Sequence, residues 1–409
     1  MPHPIIHLSN GIKLIHKEID SPVSHFCVMV NAGTRDESEI HSGLAHFVEH
    51  TIFKGTAKRN GNQVIRRIED VGGDLNASTS KEETYFHTSF LSPFYKRAVE
   101  LLADIFFNST FPEKEIQKEK TVVLEEINYY NDTPTELIFD EIENLIFYGH
   151  PLGRNILGTK KSVKNIKRDN ILDFINENYT IPNIVLASAG AITTSQLKQL
   201  CERYFGATNV RYGARWRPPF AQYQPQYKQV HKATNQTHIV LANQAYSFMD
   251  DKKNPFMLLI NLLGGQGMSA RLNMAIREKR GLAYSVEASY SGFSDSGLFT
   301  IYIGCDNEHI EQCIELVYRE MKKLCQQKIS TLQLHYAKNQ FLGQLAIANE
   351  SKLNEMLSLG RTALFFDEVE TIEEAIANIQ ELSAEKLQNC ANELLQREQM
   401  TTLIYSRGR

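Results

Sequence analysis

The chain reads as an α+β protein of two homologous domains, each a largely antiparallel β-sheet covered by helices on one face. Three observations predict this. Its 409 residues, 42% hydrophobic and 22% charged, are ordinary globular composition and suffice for two domains of about 200 residues each. Between 207 and 228, the least periodic stretch of the chain, Gly213, Pro218, Pro219 and Pro225 stand among polar Gln residues, a composition that marks a connection between patterned segments. The halves on either side repeat one pattern: an apolar strand (25–33, then 237–245), a helix, a glycine turn (Gly73, then Gly281), further strands, and another helix (95–107, then 308–324). A duplicated unit of this kind is expected to place domains at 1–212 and 229–409, joined by a linker at 213–228.

Within the first half, the short helical run 46–50 carries the most chemistry. His46 and His50 stand at i and i+4, and Glu49 beside the second. At about 100° per residue these side chains leave one helical face within roughly 40–60° of one another. Neutral imidazoles are good zinc ligands, and a carboxylate sharing their face without filling the coordination shell can deprotonate a metal-bound water. The order His-x-x-Glu-His inverts that of the commoner zinc-protease motif. Two histidines four apart also occur as mere helix decoration, so the pattern requires a third ligand elsewhere.

The candidate lies in 113–127, which follows Phe111-Pro112 and reads as a helix ending near 131–134. Glu119, Val123, Glu126 and Tyr130 fall on one stripe, and Glu125 points about 100° away. Glu126 is therefore expected to be the ligand, with Glu119 orienting a ligating histidine. Solvation accounts for Glu113, Glu115 and Glu125 as an ordinary acidic face. It accounts less well for two glutamates interleaved with Val122, Val123, Leu124 and Ile127. Further back, Gly72-Gly73-Asp74 signals a turn, and 75–90 shows strand-like alternation. Such a strand near a protease centre could pair with an extended substrate, or be an ordinary sheet edge.

HFVEH at 46–50, VGGDLNASTSKEETYFH at 71–87, EKTVVLEEI at 119–127, and GGQGMSARL with REKRGLAYSV at 264–272 and 277–286 together resemble the M16 family of zinc metallopeptidases. The resemblance runs in order over most of the chain. It implies a zinc endopeptidase with one zinc per chain held by His46, His50 and Glu126. Glu49 would be the general base, and Glu119 matches the first glutamate of the family's E-x6-E element. It also implies that Asn76 and Ala77 contact the substrate main chain. Arg277 and Tyr284 match a family pair that holds the substrate carbonyl and the developing oxyanion, a role suited to guanidinium and phenol donors. The glycine-rich loop at 264–267 would border the substrate path. No Gly-Lys-Ser/Thr follows it, so it does not read as a phosphate cradle.

Short members of that family form two-chain clamshells. Because this chain carries both the metal set and the Arg/Tyr pair, a homodimer acting on peptides or unstructured polypeptides is expected. A non-catalytic or partner-dependent subunit is the alternative, and lost ligands would be its signature. A formal charge of −4 and short, interrupted basic runs argue against nucleic-acid partners. Six scattered cysteines without C-x-x-C spacing fit reduced thiols in the cytoplasm. Neither a signal-like N-terminus nor an apolar run of about 18 residues is present, so no membrane span is expected.

Overall fold

The computed structural model describes residues 4–213, 215–366 and 368–408. Met1, Pro2 and His3 of the terminus read above, Ala214 of the expected linker, Asp367 and Arg409 lie outside them. The chain forms two compact units. The first takes Met1–Ile127, Arg154–Arg217 and Ile347–Thr371; the second takes Asn128–Gly153, Pro218–Ala346 and Ile372–Arg409.

The sheet of the first unit has six strands: β1 (Ile6–His7), β2 (Lys13–Glu18), β3 (Val23–Val30), β4 (Asp74–Thr79), β5 (Thr84–Leu91) and β6 (Ile184–Gly190). Their order is β1-β2-β6-β3-β5-β4, with every pair antiparallel except β2 with β6. The sheet of the second unit contains β7 (Tyr227–Lys232), β8 (Thr237–Ala245), β9 (Ala283–Gly292), β10 (Gly297–Cys305) and β11 (Thr401–Arg407), ordered β7-β11-β8-β10-β9. Only β7 with β11 is parallel there. Two largely antiparallel sheets covered by helices thus match the α+β fold read from the pattern, but the expected single covered face is corrected: helices pack on both faces of each sheet.

The central strands are apolar on both faces because both faces are covered. In β3, Phe26 and Val28 point to one side and Cys27 and Met29 to the other, and all four are fully buried or nearly so. The helix Tyr95–Asn108 packs on β3 and β5 on the Phe26 side, where the Tyr95 ring meets Phe90 edge-on at 5.0 Å. Cys27 and Met29 join Ile15, Val185 and Ala187 against Met356, Ala363 and Leu364 of the helix Lys352–Phe365. That helix comes from the far end of the sequence. The second unit shows the reciprocal arrangement. Ile239 and Leu241 face Phe256 and Leu259 of Lys253–Gly264, while Val240, Ala242 and Leu403 meet Ile138, Ile142 and Ile146 of Pro134–Ile146, from the first half. Each sheet thus has one face covered by a helix that the other half of the sequence supplies.

The alternating block read at 75–90 divides into β4 and β5. Its four consecutive polar residues Ser80, Lys81, Glu82 and Glu83 make a turn, with the Ser80 N–H and Oγ both donating to the Glu83 carbonyl at 2.8 and 3.1 Å. Serine at a turn start bonds its own backbone in this way, a local turn that the alternating pattern of 75–90 does not reveal.

The close approach of Lys352–Phe365 to its sheet depends on Gly360. A Cβ there would stand 2.6 Å from Met29 Sδ and 2.9 Å from Ala187 Cβ. In an exposed helix Gly→Ala would stabilise by about 1 kcal/mol through propensity. Here over-packing reverses the sign. Gly360→Ala should destabilise the protein by about 1–3 kcal/mol, read as a lower thermal-unfolding midpoint; an unchanged or higher midpoint would contradict the packing described.

Candidate metal centre

The motif residues sit on the helix Leu44–Ile52, whose apolar side Leu44, Phe47, Val48 and Ile52 is buried. Its first turn has no side-chain cap of its own. Glu37 supplies one from a preceding loop: the N–H groups of Gly43 and Ala45 donate to its carboxylate at 2.8 and 2.6 Å. Two otherwise orphaned helix donors are thereby satisfied, although burial outweighs these bonds and nearby Arg154 and pushes the Glu37 carboxyl up to about 8.

The helix Glu113–Asn131 lies across from it, with Glu119 and Val123 buried, Glu126 partly buried and Glu125 exposed. Val122, one of the apolar residues interleaved with the glutamates, is 48% exposed; one turn of apolar neighbours does not keep a position off the solvent face.

The two helices bring His46, His50 and Glu126 together. Glu126 Oε2 stands 3.7 Å from His46 Nε2 and 3.5 Å from His50 Nε2, and one ligand atom of each residue lies within 4.8 Å of the other two. Glu126 Oε2 is buried and has no hydrogen-bond partner. Ligands bonded to one tetrahedral ion at 2.0–2.1 Å stand about 3.3–3.4 Å apart, close to both separations from Glu126, so this set suits a small divalent cation. The two imidazoles differ in protonation. Burial, reinforced by His50, pushes His46 down to about 3, which leaves its lone pair free at neutral pH. Burial also opposes the charged form of His50, but Glu119, Glu126 and Glu49 outweigh it and raise its pKa. Three carboxylates thus surround two imidazoles.

Glu119 does not join the group of three. Its Oε2 accepts from His50 Nδ1 at 3.3 Å, behind the nitrogen that faces Glu126. Glu49 lies on the same helix face beside Thr79 of β4, and burial raises its pKa against the opposing effects of Thr79 and His50. Asn76 and Ala77 lie in β4, which packs against the motif helix and pairs only with β5 among the described strands. Its other edge presents unpaired backbone groups.

Arg277 and Tyr284 belong to the second unit. Arg277 is on the π-helical turn Asn273–Glu278, about half exposed and 3.9 Å from Glu278, and Tyr284, the second residue of β9, is 62% exposed.

A buried ionic cluster behind the site gave no motif in the sequence. Asp36 accepts from Arg215 at 2.6 Å and from Arg217 at 2.8 Å, while Glu82 accepts from Arg35 at 2.7 Å. Arg217 also donates to the Glu82 carbonyl at 3.0 Å. These contacts dock the β4–β5 turn onto the loop that runs from Gly33 to the capping Glu37. The N–H groups of Thr34 and Arg35 donate to the carbonyls of Ser80 and Lys81, and a Cβ on Gly33 would meet Ser80 O at 2.3 Å. The available signal was two arginines flanking Trp216 in an otherwise charge-poor stretch.

Comparison with known proteins adds the following. Residues 14–160 match the family described as insulinase (peptidase family M16), and residues 165–341 the one described as peptidase M16 inactive domain. The uncharacterized zinc protease YmxG of Bacillus subtilis is 32% identical over 383 residues, 93% of this chain and 92% of that protein. An uncharacterized zinc protease of Rickettsia bellii is 30% identical over 377 residues, 92% and 91% of the two chains. A Pseudomonas fluorescens structure described as a peptidase M16 inactive domain superposes with a TM-score of 0.93 at 20% identity, covering 100% of this chain and 98% of that one. A protease from Helicobacter pylori gives 0.91 at 20%, covering 99% and 100%. At such identity the structures speak for the fold alone.

Asp36 offers a test of the cluster. Burial opposes its charge, but Arg217, Arg215 and the Gly33 N–H outweigh that and hold its pKa below the ordinary carboxylate value. A depressed folded-state pKa stabilises the protein above the unfolded value of about 3.9, and that stability is lost as pH falls through the folded value. Asp36→Asn should therefore cost about 3 kcal/mol at pH 7. The gap between variant and parent should narrow below about pH 4. Chemical denaturation across pH 3–7 measures both, and a gap that stays constant with pH would contradict the assignment.

Proposed function

Because the chain belongs to the M16 family of peptidases, we propose that it is a zinc-dependent endopeptidase that hydrolyses peptides or unstructured polypeptides, with Glu49 as general base. The observation that carries this reading is the convergence of His46, His50 and Glu126, with an unpartnered carboxylate oxygen between two imidazole nitrogens. All five residues of the centre, Glu49 and Glu119 included, lie in the stretch 14–160 that matches the insulinase description. The stretch described as inactive covers 165–341 and holds Arg277 and Tyr284. A non-catalytic subunit would be expected to have lost ligands, and none is lost here.

A zinc ion held by the three side chains would supply a Lewis acid that acidifies water and polarises a carbonyl. The remaining chemistry belongs to the chain. Glu49 takes a proton from the attacking water as its oxygen bonds to the scissile carbonyl carbon, and returns that proton to the amide nitrogen as the C–N bond breaks. Its raised pKa suits a group that must both accept and release a proton. An extended substrate adds to the free edge of β4, with Asn76 and Ala77 pairing its backbone. Arg277 and Tyr284 donate to the oxyanion of the tetrahedral intermediate.

The oxyanion donors and the metal group come from different units of the sequence repeat. The reading accordingly includes a homodimer with two sites, in which the first unit of one chain works with the second unit of its partner. Among the described residues no helix is long and apolar enough to cross a membrane.

Three measurements follow. Purified protein should contain about one zinc per chain, lose peptidase activity to a chelator and regain it with added zinc; full activity after metal removal would refute the proposal. Glu49→Gln should retain zinc yet cleave a quenched peptide at least about a hundredfold more slowly, and near-normal cleavage would remove Glu49 from its role. Light scattering should give twice the chain mass, with a monomer that is fully active excluding the two-chain arrangement.

A further inference from the structure

His46 and His50 are supported unequally. The Nδ1 of His46 is buried without a hydrogen-bond partner, whereas the Nδ1 of His50 donates to Glu119 Oε2 at 3.3 Å. The other oxygen of Glu119 is also engaged: Lys54 Nζ stands 2.6 Å from Oε1. Lys54 follows His50 by four residues, as His50 follows His46, and its backbone N–H continues the turn by donating to the Thr51 carbonyl at 3.1 Å. It lies in the turn just past the end of the helix Leu44–Ile52, and its side chain reaches the same carboxylate that His50 meets. The Glu119 side chain is only 9% exposed and that of Lys54 is 33% exposed. This is a solvated cation reaching in to a buried carboxylate.

The geometry points to Lys54 as a positioning residue for the metal centre. We propose that it pins one oxygen of Glu119 so that the other stays aimed at His50 Nδ1, which fixes the His50 tautomer with Nε2 toward Glu126. This inference rests on the reading of His46, His50 and Glu126 as metal ligands. A surface ion pair alone contributes little, and stability is not the point of this one. Without the ammonium group, Glu119 Oε1 would be a buried acceptor with no partner, and the carboxylate could rotate away from the imidazole to find one. Partners standing behind a ligating histidine typically change metal affinity 10–100-fold when removed.

The test is a double-mutant cycle read in metal affinity, by competition of the metal-free protein and a chromogenic chelator for zinc. Lys54→Met should weaken zinc binding about tenfold while leaving the thermal midpoint of the metal-free protein nearly unchanged. Lys54→Arg, which keeps a donor and a charge, should recover most of the loss. In a Glu119→Gln background, Lys54→Met should add little, because the two act through one contact. Zinc affinity of Lys54→Met within twofold of the parent, or effects of the two substitutions that simply add, would overturn the proposal. Failure of the parent protein itself to bind zinc, or binding indifferent to His46→Ala, would instead overturn the underlying metal-site reading.

Discussion

Three carboxylates, Glu49, Glu119 and Glu126, crowd two imidazoles in a partly buried space, and the first unit is built to tolerate that concentration of lone pairs and negative charge. Like charges at such range repel strongly once water is displaced. The arrangement is consistent with a dication at its centre and with each carboxylate kept to a separate task. Glu126 faces both ring nitrogens, Glu119 turns to the back of one ring and to Lys54, and Glu49 looks toward β4. The division follows from helix geometry. Glu119 and Glu126 are two turns apart on one stripe, so a single helix spans the site and reaches behind it.

Fixing these groups requires a rigid frame, which polar residues supply as much as apolar ones. Glu37 caps the motif helix, and its neighbour Asp36 anchors Arg215 and Arg217. Arg217 in turn holds the β4–β5 turn through Glu82. The edge strand proposed to receive substrate and the helix carrying His46, Glu49 and His50 are thus referenced to one loop, 33–37. Buried ion pairs are poor sources of net stability but costly to break, which makes such a cluster a device for holding geometry.

The two halves of the sequence are interdependent for a different reason. Each sheet presents apolar residues on both faces, and one helix from the opposite half covers the second face: Lys352–Phe365 in the first unit and Pro134–Ile146 in the second. A cut anywhere in 213–228 would leave each sheet without one of its covering helices. Where Lys352–Phe365 meets the sheet, contact is close enough that Gly360 leaves no room for a methyl group.

Local periodicity determined a good deal by itself. The α+β repeat, the helix bearing His46, Glu49 and His50, and the stripe that sets Glu119 and Glu126 apart from Glu125 all follow from spacings of two or 3.6 residues, which short-range backbone sterics impose wherever the segment ends up. What periodicity reports is that a face is apolar, not what covers it. The exchanged helices, the ionic cluster linking Arg215 and Arg217 to Asp36 and Glu82, the turn hidden inside 75–90 and the reach of Lys54 to Glu119 were therefore decided only in three dimensions. Each joins residues whose separation in sequence carries no energetic trace until the chain has folded and burial makes an unpaired charge or an uncovered strand costly.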